Sequence, residues 1–344
     1  MATETKLRFG TLGAGFWANY QLAAWSEAGG AECVAIYNRT RAKAESLAGK
    51  FGIPSVYDNA ERLLETERLD FVDIITDVET HPKFVLMAIE RGIPAICQKP
   101  MAPTFSVAQE MVEASRTQKV PFFIHENWRW QRPIQELKQV LTSGMIGQPF
   151  RARIRMVSGF KVFENQPFLA ELERFILTDM GSHVLDVARF LFGEAESVYC
   201  QSAKVHESIK GEDVATVIMP MGPSRTTVTV EMGYPGNYAE HDRFPETYIV
   251  VEGSKGTLEL GPDYWIRVTT AEGTHAKRTP PPRYAWADPR YDLVHASIVP
   301  CNVDLLAGIR GERPAQTTGE DNLKTTRLVF AAYDSAERNA VVRL

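Results

Sequence analysis

Leu7-Arg8-Phe9-Gly10-Thr11-Leu12-Gly13-Ala14-Gly15-Phe16-Trp17-Ala18 is the stretch on which the fold of this chain turns. Its first half, Leu7–Leu12, is a short apolar run of the kind found in strands buried on both faces. It leads into a G-x-G-x-x-A turn, and a helical pattern follows over Ala18–Ala28. A dinucleotide-binding turn needs this context. Gly13 permits the tight turn, Gly15 lets backbone approach a pyrophosphate, and Ala18 packs the helix closely on the strand. The helix start then offers N–H groups and positive dipole to phosphate. The motif's place in the first strand–helix unit favours this reading over an ordinary glycine-rich turn.

The same rhythm continues outward. Apolar runs recur at 33–37, 71–75, 95–97 and 122–124, with helical patterns between them at 41–51, 82–91 and 106–117. Thr40 precedes the second helix, Gly52 follows it and Gly92 ends the third, as helix boundaries require. Repeated strand–helix units predict a doubly wound parallel sheet, assigned here to a dinucleotide-binding domain over 1–125. From about Pro149 the period falls to two, at 151–157, 197–205, 215–220, 226–232, 247–252, 257–260 and 264–269. These predict an antiparallel sheet, with helices at 181–192, near 295–308 and at 323–338, in a second α+β domain over 126–344.

Composition bounds the function. The 344 residues suit two domains, and 44% hydrophobic with 24% charged residues excludes a disordered chain. Lys and Arg number 38 against 43 Asp and Glu, a net charge of −5, which lacks the positive field that gathers nucleic acid. No run approaches the roughly 20 apolar residues of a membrane span, and no signal-peptide pattern opens the chain. Cys33, Cys97, Cys200 and Cys301 form no paired motif and are expected to be reduced thiols. A cytoplasmic protein with no nucleic-acid or membrane partner is expected.

At the end of the second strand, Tyr37-Asn38-Arg39-Thr40 carries no acid for a ribose 2′-hydroxyl. Asn38 is neutral and Arg39 suits a 2′-phosphate, so of NAD and NADP the reading leans to NADP. Three further motifs carry chemistry. Cys97-Gln98-Lys99-Pro100 lies at the C-terminal end of a strand, where open α/β sheets place ligands. Asp179, His183 and Asp186 fall at spacings of four and three, which on a helix share one face. An N-cap Asp179 above a core histidine is the structural alternative, and no ligand-spaced His or Cys completes a metal site. Asn127-Trp128-Arg129-Trp130 offers polar and aromatic groups to a substrate or to interdomain packing. Arg129 or Arg132 would suit an acidic substrate through bidentate pairing, and 160–173, lacking a clean period, is a candidate lid.

Taken together these motifs resemble the Gfo/Idh/MocA family of NAD(P)-dependent oxidoreductases over nearly the whole chain. The resemblance rests on the glycine turn, Thr76…His81, Lys99-Pro100, Asn127-x-Arg129, the 143–147 turn, Asp179-x-Gly181-x-His183-x-x-Asp186, and the closing Ala331-Ala332-Tyr333-x-Ser335-Ala336. It implies an N-terminal Rossmann domain and an open-faced mixed C-terminal sheet. It also implies hydride transfer at a carbinol carbon of a sugar, polyol or related carbonyl. Lys99 is then the proton-relaying acid/base, His183 bonds the reacting oxygen and shares that role, and Asp179 orients substrate hydroxyls. A partly desolvated lysine near nicotinamide would have a lowered pKa. The implied cofactor residues are Gly13, Gly15, Phe16, Trp17, Asn38, Arg39, Thr76, His81 and Gln98. Asn127, Trp128, Arg129 and Tyr238 are the expected substrate contacts. In two places the chain departs from the family pattern: Gln98 stands where the family usually has Glu, and Asp77 where it often has proline.

An open-faced sheet would leave an apolar face for a second subunit to cover, so a homodimer or homotetramer through that sheet is expected. Two other functions fit the residues: a glycosidase using bound NAD transiently, and a non-catalytic NADP sensor. Lys99, Asp179 and His183 together argue against the sensor.

Overall fold

The first sheet has six parallel strands, β1 (Leu7–Leu12), β2 (Ala31–Tyr37), β3 (Ser55–Tyr57), β4 (Phe71–Ile74), β5 (Ala95–Gln98) and β6 (Phe122–His125). Their order, β3-β2-β1-β4-β5-β6, is that of a doubly wound dinucleotide-binding fold, with the switch point between β1 and β4. β4, β5 and β6 are buried along their whole length, because helices cover both faces of such a sheet. Those helices are α1 (Ala18–Ala28), α2 (Arg41–Phe51), α3 (Ala60–Thr66), α4 (His81–Glu90) and α5 (Phe105–Gln118). Gly52 at φ 68 ends α2 in the left-handed region, and the Thr104 hydroxyl caps α5 by accepting from Val107 N. Thr40 makes no such side-chain cap on α2.

This computed structural model describes residues 6–235 and 245–344. It forms two units, Met1–Glu126 with Tyr284–Ala287 and Ile298–Thr326, and Asn127–Arg283 with Asp288–Ser297 and Arg327–Leu344. Residues 284–287 and 298–326, expected from sequence in the second domain, therefore pack with the first. Hydrogen bonds explain it: His125 Nε2 lies 3.0 Å from Asn302 Oδ1, and Ile124 N donates to Thr317 O at 2.8 Å.

The second unit is built on a nine-stranded sheet of order β14-β13-β12-β11-β7-β10-β9-β8-β15. In chain order these are β7 (Pro149–Val157), β8 (Ser197–Ala203), β9 (Val214–Met221), β10 (Thr226–Gly233), β11 (Tyr248–Gly253), β12 (Gly256–Gly261), β13 (Trp265–Thr270), β14 (Gly273–Arg278) and β15 (Val342–Arg343). Among the described residues, only β10 and β7 pair in parallel in this sheet. Its helices are α6 (Arg132–Ser143), α7 (Val162–Asn165), α8 (Ser182–Phe192), α9 (Asp292–Ile309) and α10 (Gly319–Arg338); the last two contribute residues to both units. One sheet face buries Ala152, Ile154, Val217, Val230 and Val251 against Val184, Leu185 and Ala188 of α8 and Leu328 and Ala332 of α10. α9 is apolar and long enough by composition to cross a membrane, yet two thirds of it is buried in the fold, as in a core helix.

The expectation of an apolar outward face is not met. Between the inward Ala152 and Ile154, β7 turns Arg151 and Arg153 outward, and these pair with Glu252 of β11 and Glu231 of β10. Ile218 and Val250 lie exposed among these charges, so the face is a charged lattice with apolar gaps. The four cysteines are free thiols, and burial pushes Cys33 and Cys200 up to about 12.

α10 is joined to the sheet edge by Ser335, whose buried hydroxyl accepts from Cys200 N at 2.9 Å and donates to Ala340 O at 2.6 Å. Ser335→Ala strands the buried Cys200 N–H, and an unsatisfied buried group costs about 1–3 kcal/mol. Chemical denaturation should show a lower midpoint at unchanged slope; an unchanged midpoint would refute the strut.

Candidate active site

In the first unit the site is the C-terminal edge of the parallel sheet. Gly13 adopts φ +114, and a Cβ there would stand 2.5 Å from Ile75 O, so only glycine lets β1 turn against β4. Gly13 N donates to Tyr37 O at 2.8 Å. At Gly15 a Cβ would meet no protein atom within 4 Å. The protein's own packing therefore does not demand glycine there, whereas a pyrophosphate lying on the backbone does. No side chain caps α1, and the Ala18 and Tyr20 N–H groups turn back to the Gly15 and Trp17 carbonyls at 3.2 and 3.0 Å. These residues fit a dinucleotide. Phe16 is 67% exposed, with its ring edge on Tyr20 at 5.2 Å. Trp17 packs in a small cluster with Tyr20, Tyr284 and Trp286.

Asn38 holds this turn. Its Oδ1 accepts from Ala14 N at 3.1 Å, and its Nδ2 donates to Thr40 O at 3.0 Å. Arg39 is exposed beside it. Across the switch point, the Thr76 hydroxyl accepts from Thr80 Oγ1 at 2.8 Å. His81, expected on the cofactor side, is instead 1% exposed. Its Nδ1 faces Pro100 O and its Nε2 faces Thr76 O, each at 3.0 Å. A neutral ring donates to only one of two carbonyls. Burial lowers the His81 pKa and the carbonyls oppose that shift. The ring thus ties the Thr76 turn to the Lys99-Pro100 turn. Gln98 is buried at the end of β5, and Lys99 follows it half-buried.

In the second unit, a single π turn over Leu177–Gly181 carries Asp179 into α8, which carries His183 and Asp186. Such turns recur at functional sites. The Asn127-Trp128-Arg129 motif, expected to line a substrate pocket, is buried and braces this helix. The Trp128 ring stacks on His183, centroids 4.6 Å apart and planes 12° apart. Arg129 closes on Asp186 with both fork positions, Nε to Oδ2 at 2.7 Å and Nη2 to Oδ1 at 2.6 Å. That bidentate face is therefore occupied by Asp186, while Arg132 donates to Pro280 O. Asn127 Nδ2 donates to Val294 O and Ser297 Oγ at 3.1 and 2.9 Å. Tyr238 lies outside the described residues. Among the described residues no cluster of three His, Cys, Asp or Glu side chains is arranged for a metal.

Tyr234, which the sequence offers as one of several aromatic candidates for the pocket or the core, is buried and stacked on Phe175. Burial, and secondarily the Asp179 charge, push its phenol well above the ordinary range.

Residues 7–126 match the family described as oxidoreductase family, NAD-binding Rossmann fold, and residues 134–259 match the GFO/IDH/MocA C-terminal domain. The chain belongs to the Gfo/Idh/MocA family. It is 40% identical to a D-apiose dehydrogenase of Paraburkholderia graminis, covering 99% of this chain and 91% of that one. A D-apiose dehydrogenase of Rhizobium rhizogenes is 38% identical over 98% and 97%. An oxidoreductase of Agrobacterium radiobacter, solved with NAD+, L-tartaric acid and magnesium, superposes with a TM-score of 0.96 at 38% identity, covering 98% of each chain. As a Gfo/Idh/MocA protein the chain is a nicotinamide-dependent dehydrogenase acting on CH–OH groups.

The Gly13 contact gives a direct test. Gly13→Ala forces a Cβ into the Ile75 carbonyl and should weaken NAD binding at least tenfold, read by calorimetric titration. Full affinity in that variant would contradict the turn geometry.

Proposed function

We propose that this chain is a sugar dehydrogenase that moves hydride between NAD(P) and a carbinol carbon, with D-apiose as the first substrate to assay. The observation that carries the reading is the open backbone at Gly15 next to the forced turn at Gly13, in a chain whose near relatives bear that dehydrogenase name. Bound nicotinamide supplies the hydride acceptor or donor.

The remaining chemistry belongs to side chains. As the carbinol is oxidised its hydroxyl proton must leave, and Lys99 takes it as general base. His183 hydrogen-bonds the reacting oxygen and shares the proton, its ring plane held by Trp128. Asp179 orients neighbouring hydroxyls. Arg129 acts through Asp186 to hold α8, so its contribution is to placement. In the reverse direction Lys99 returns the proton to the carbonyl oxygen.

Arg39 is the proposed reader of a 2′-phosphate, because Asn38 puts no carboxylate beside it and, among the described residues, Arg39 makes no ion pair. Arg39→Ala should lower kcat/KM with NADP about tenfold and leave the NAD value within twofold. Equal losses with both would assign Arg39 to folding. We also propose assembly through the outward sheet face, matched by charge.

Absorbance assays of nicotinamide reduction with D-apiose and a panel of aldoses and polyols test the central reading. Turnover with one sugar supports it, and absence of turnover across the panel with tight nucleotide binding would reject it. Gln98→Glu would add a carboxylate one residue from Lys99, favouring its protonated form. The basic-side pKa of the pH–rate profile should rise, and an unmoved profile would count against Lys99 as the titrating base.

A further inference from the structure

Asp73 has no place in the reaction described so far. It occupies β4, an all-buried strand whose other residues are Phe71, Val72 and Ile74. Its Oδ2 accepts from Trp25 Nε1 at 2.6 Å and from Gln21 Nε2 at 3.1 Å, both on α1. Its Oδ1 is buried without a hydrogen-bond partner. Among the described residues no lysine, arginine or histidine pairs with it. A carboxylate so placed is costly to a sheet core that an apolar side chain would fill.

Its connections run toward the cofactor edge. The Gln21 amide nitrogen faces Asp73, and lies 3.4 Å from Asn302 Oδ1, so its carbonyl is left to accept from Gln98 Nε2 at 3.5 Å. A carboxylate accepts only, so its presence fixes which way the Gln21 and Gln98 amides point. Gln98 is the residue before Lys99. The titratable neighbours of Asp73 are the thiols of Cys33 and Cys97, and burial keeps both neutral by raising their pKa values, to about 12 for Cys33. Burial raises Asp73 to about 6, while its two N–H donors hold it toward the anion.

We propose that Asp73 is a positioning residue that orients Gln98 through Gln21 and supplies an uncompensated negative charge to the cofactor-binding end of the sheet, favouring the oxidised dinucleotide. This rests on the nicotinamide reading above. Oxidised nicotinamide carries a positive charge that the reduced ring lacks, so a nearby buried anion strengthens binding of one form over the other.

The test is calorimetric titration of the full chain with NAD+ and with NADH, in wild type, Asp73→Asn and Trp25→Phe. Asp73→Asn removes the charge with little change of shape. Trp25→Phe keeps the carboxyl and an aromatic ring but removes the shorter donor, which favours the protonated acid. In Asp73→Asn the ratio of the NAD+ to the NADH dissociation constant should rise severalfold, because the charge that favours the oxidised ring is gone. Trp25→Phe should move it in the same direction, and carries the test alone if Asp73→Asn does not fold. Equal weakening of both forms would reduce Asp73 to a structural residue and overturn the proposal. Wild-type protein that binds neither nucleotide would overturn the nicotinamide reading, and this proposal with it.

Discussion

Arg129 and Asp186 are two opposite charges withdrawn from water, with side chains 6% and 0% exposed. Their mutual attraction roughly offsets the loss of hydration, and neither is stable there alone: removing one partner of such a pair costs about 3–5 kcal/mol. The second unit is organised around this constraint. The pair locks the turn at Trp128–Trp130 to the middle of α8, which sets Trp128 flat against His183 one helical turn earlier. Arg189 continues the arrangement, 3.7 Å from Asp186 and bidentate to Glu194. The charge pair therefore places the imidazole through the Trp128 ring stacked on it.

The two sheets treat polarity in opposite ways. In the first, helices cover both faces, and Asp73, Gln21, Gln98, Asn302 and His125 cross the interior as a connected polar chain. Such a network specifies a unique arrangement when satisfied and is costly when it is not. The second sheet keeps an uncovered face, and its outward positions carry guanidinium–carboxylate pairs across neighbouring strands.

Much of the fold was legible because its signals are local. The bounds of β1, α1 and α2 follow from an apolar run, a glycine turn and a C-terminal glycine. β3 and α3 have three and seven residues, too few to display a period. α6 shows only Ile134, Leu137 and Leu141 as its apolar stripe, too few to stand out between a tryptophan-rich motif and a glycine turn. β14 has no buried residue, so it offers no alternation to find. The glycine turn announced its own function. The partner of Arg129 lies 57 residues away, and no spacing rule links such positions. Asp73 resembles any polar interruption of a strand until α1 is laid against it.

The ends of the nine-stranded sheet differ from its middle. At one end β15 has two residues, and at the other β14 is exposed throughout, with His275, Lys277 and Arg278 along it. Unpaired strand edges are templates for another chain, and short length and positive side chains are the common defences. Lys277 is also tied to Glu136 of α6 by hydrogen bonds of 3.0 and 3.1 Å. A sheet this wide thus ends where its backbone is least able to recruit another strand, and its margins guard the molecule's solubility.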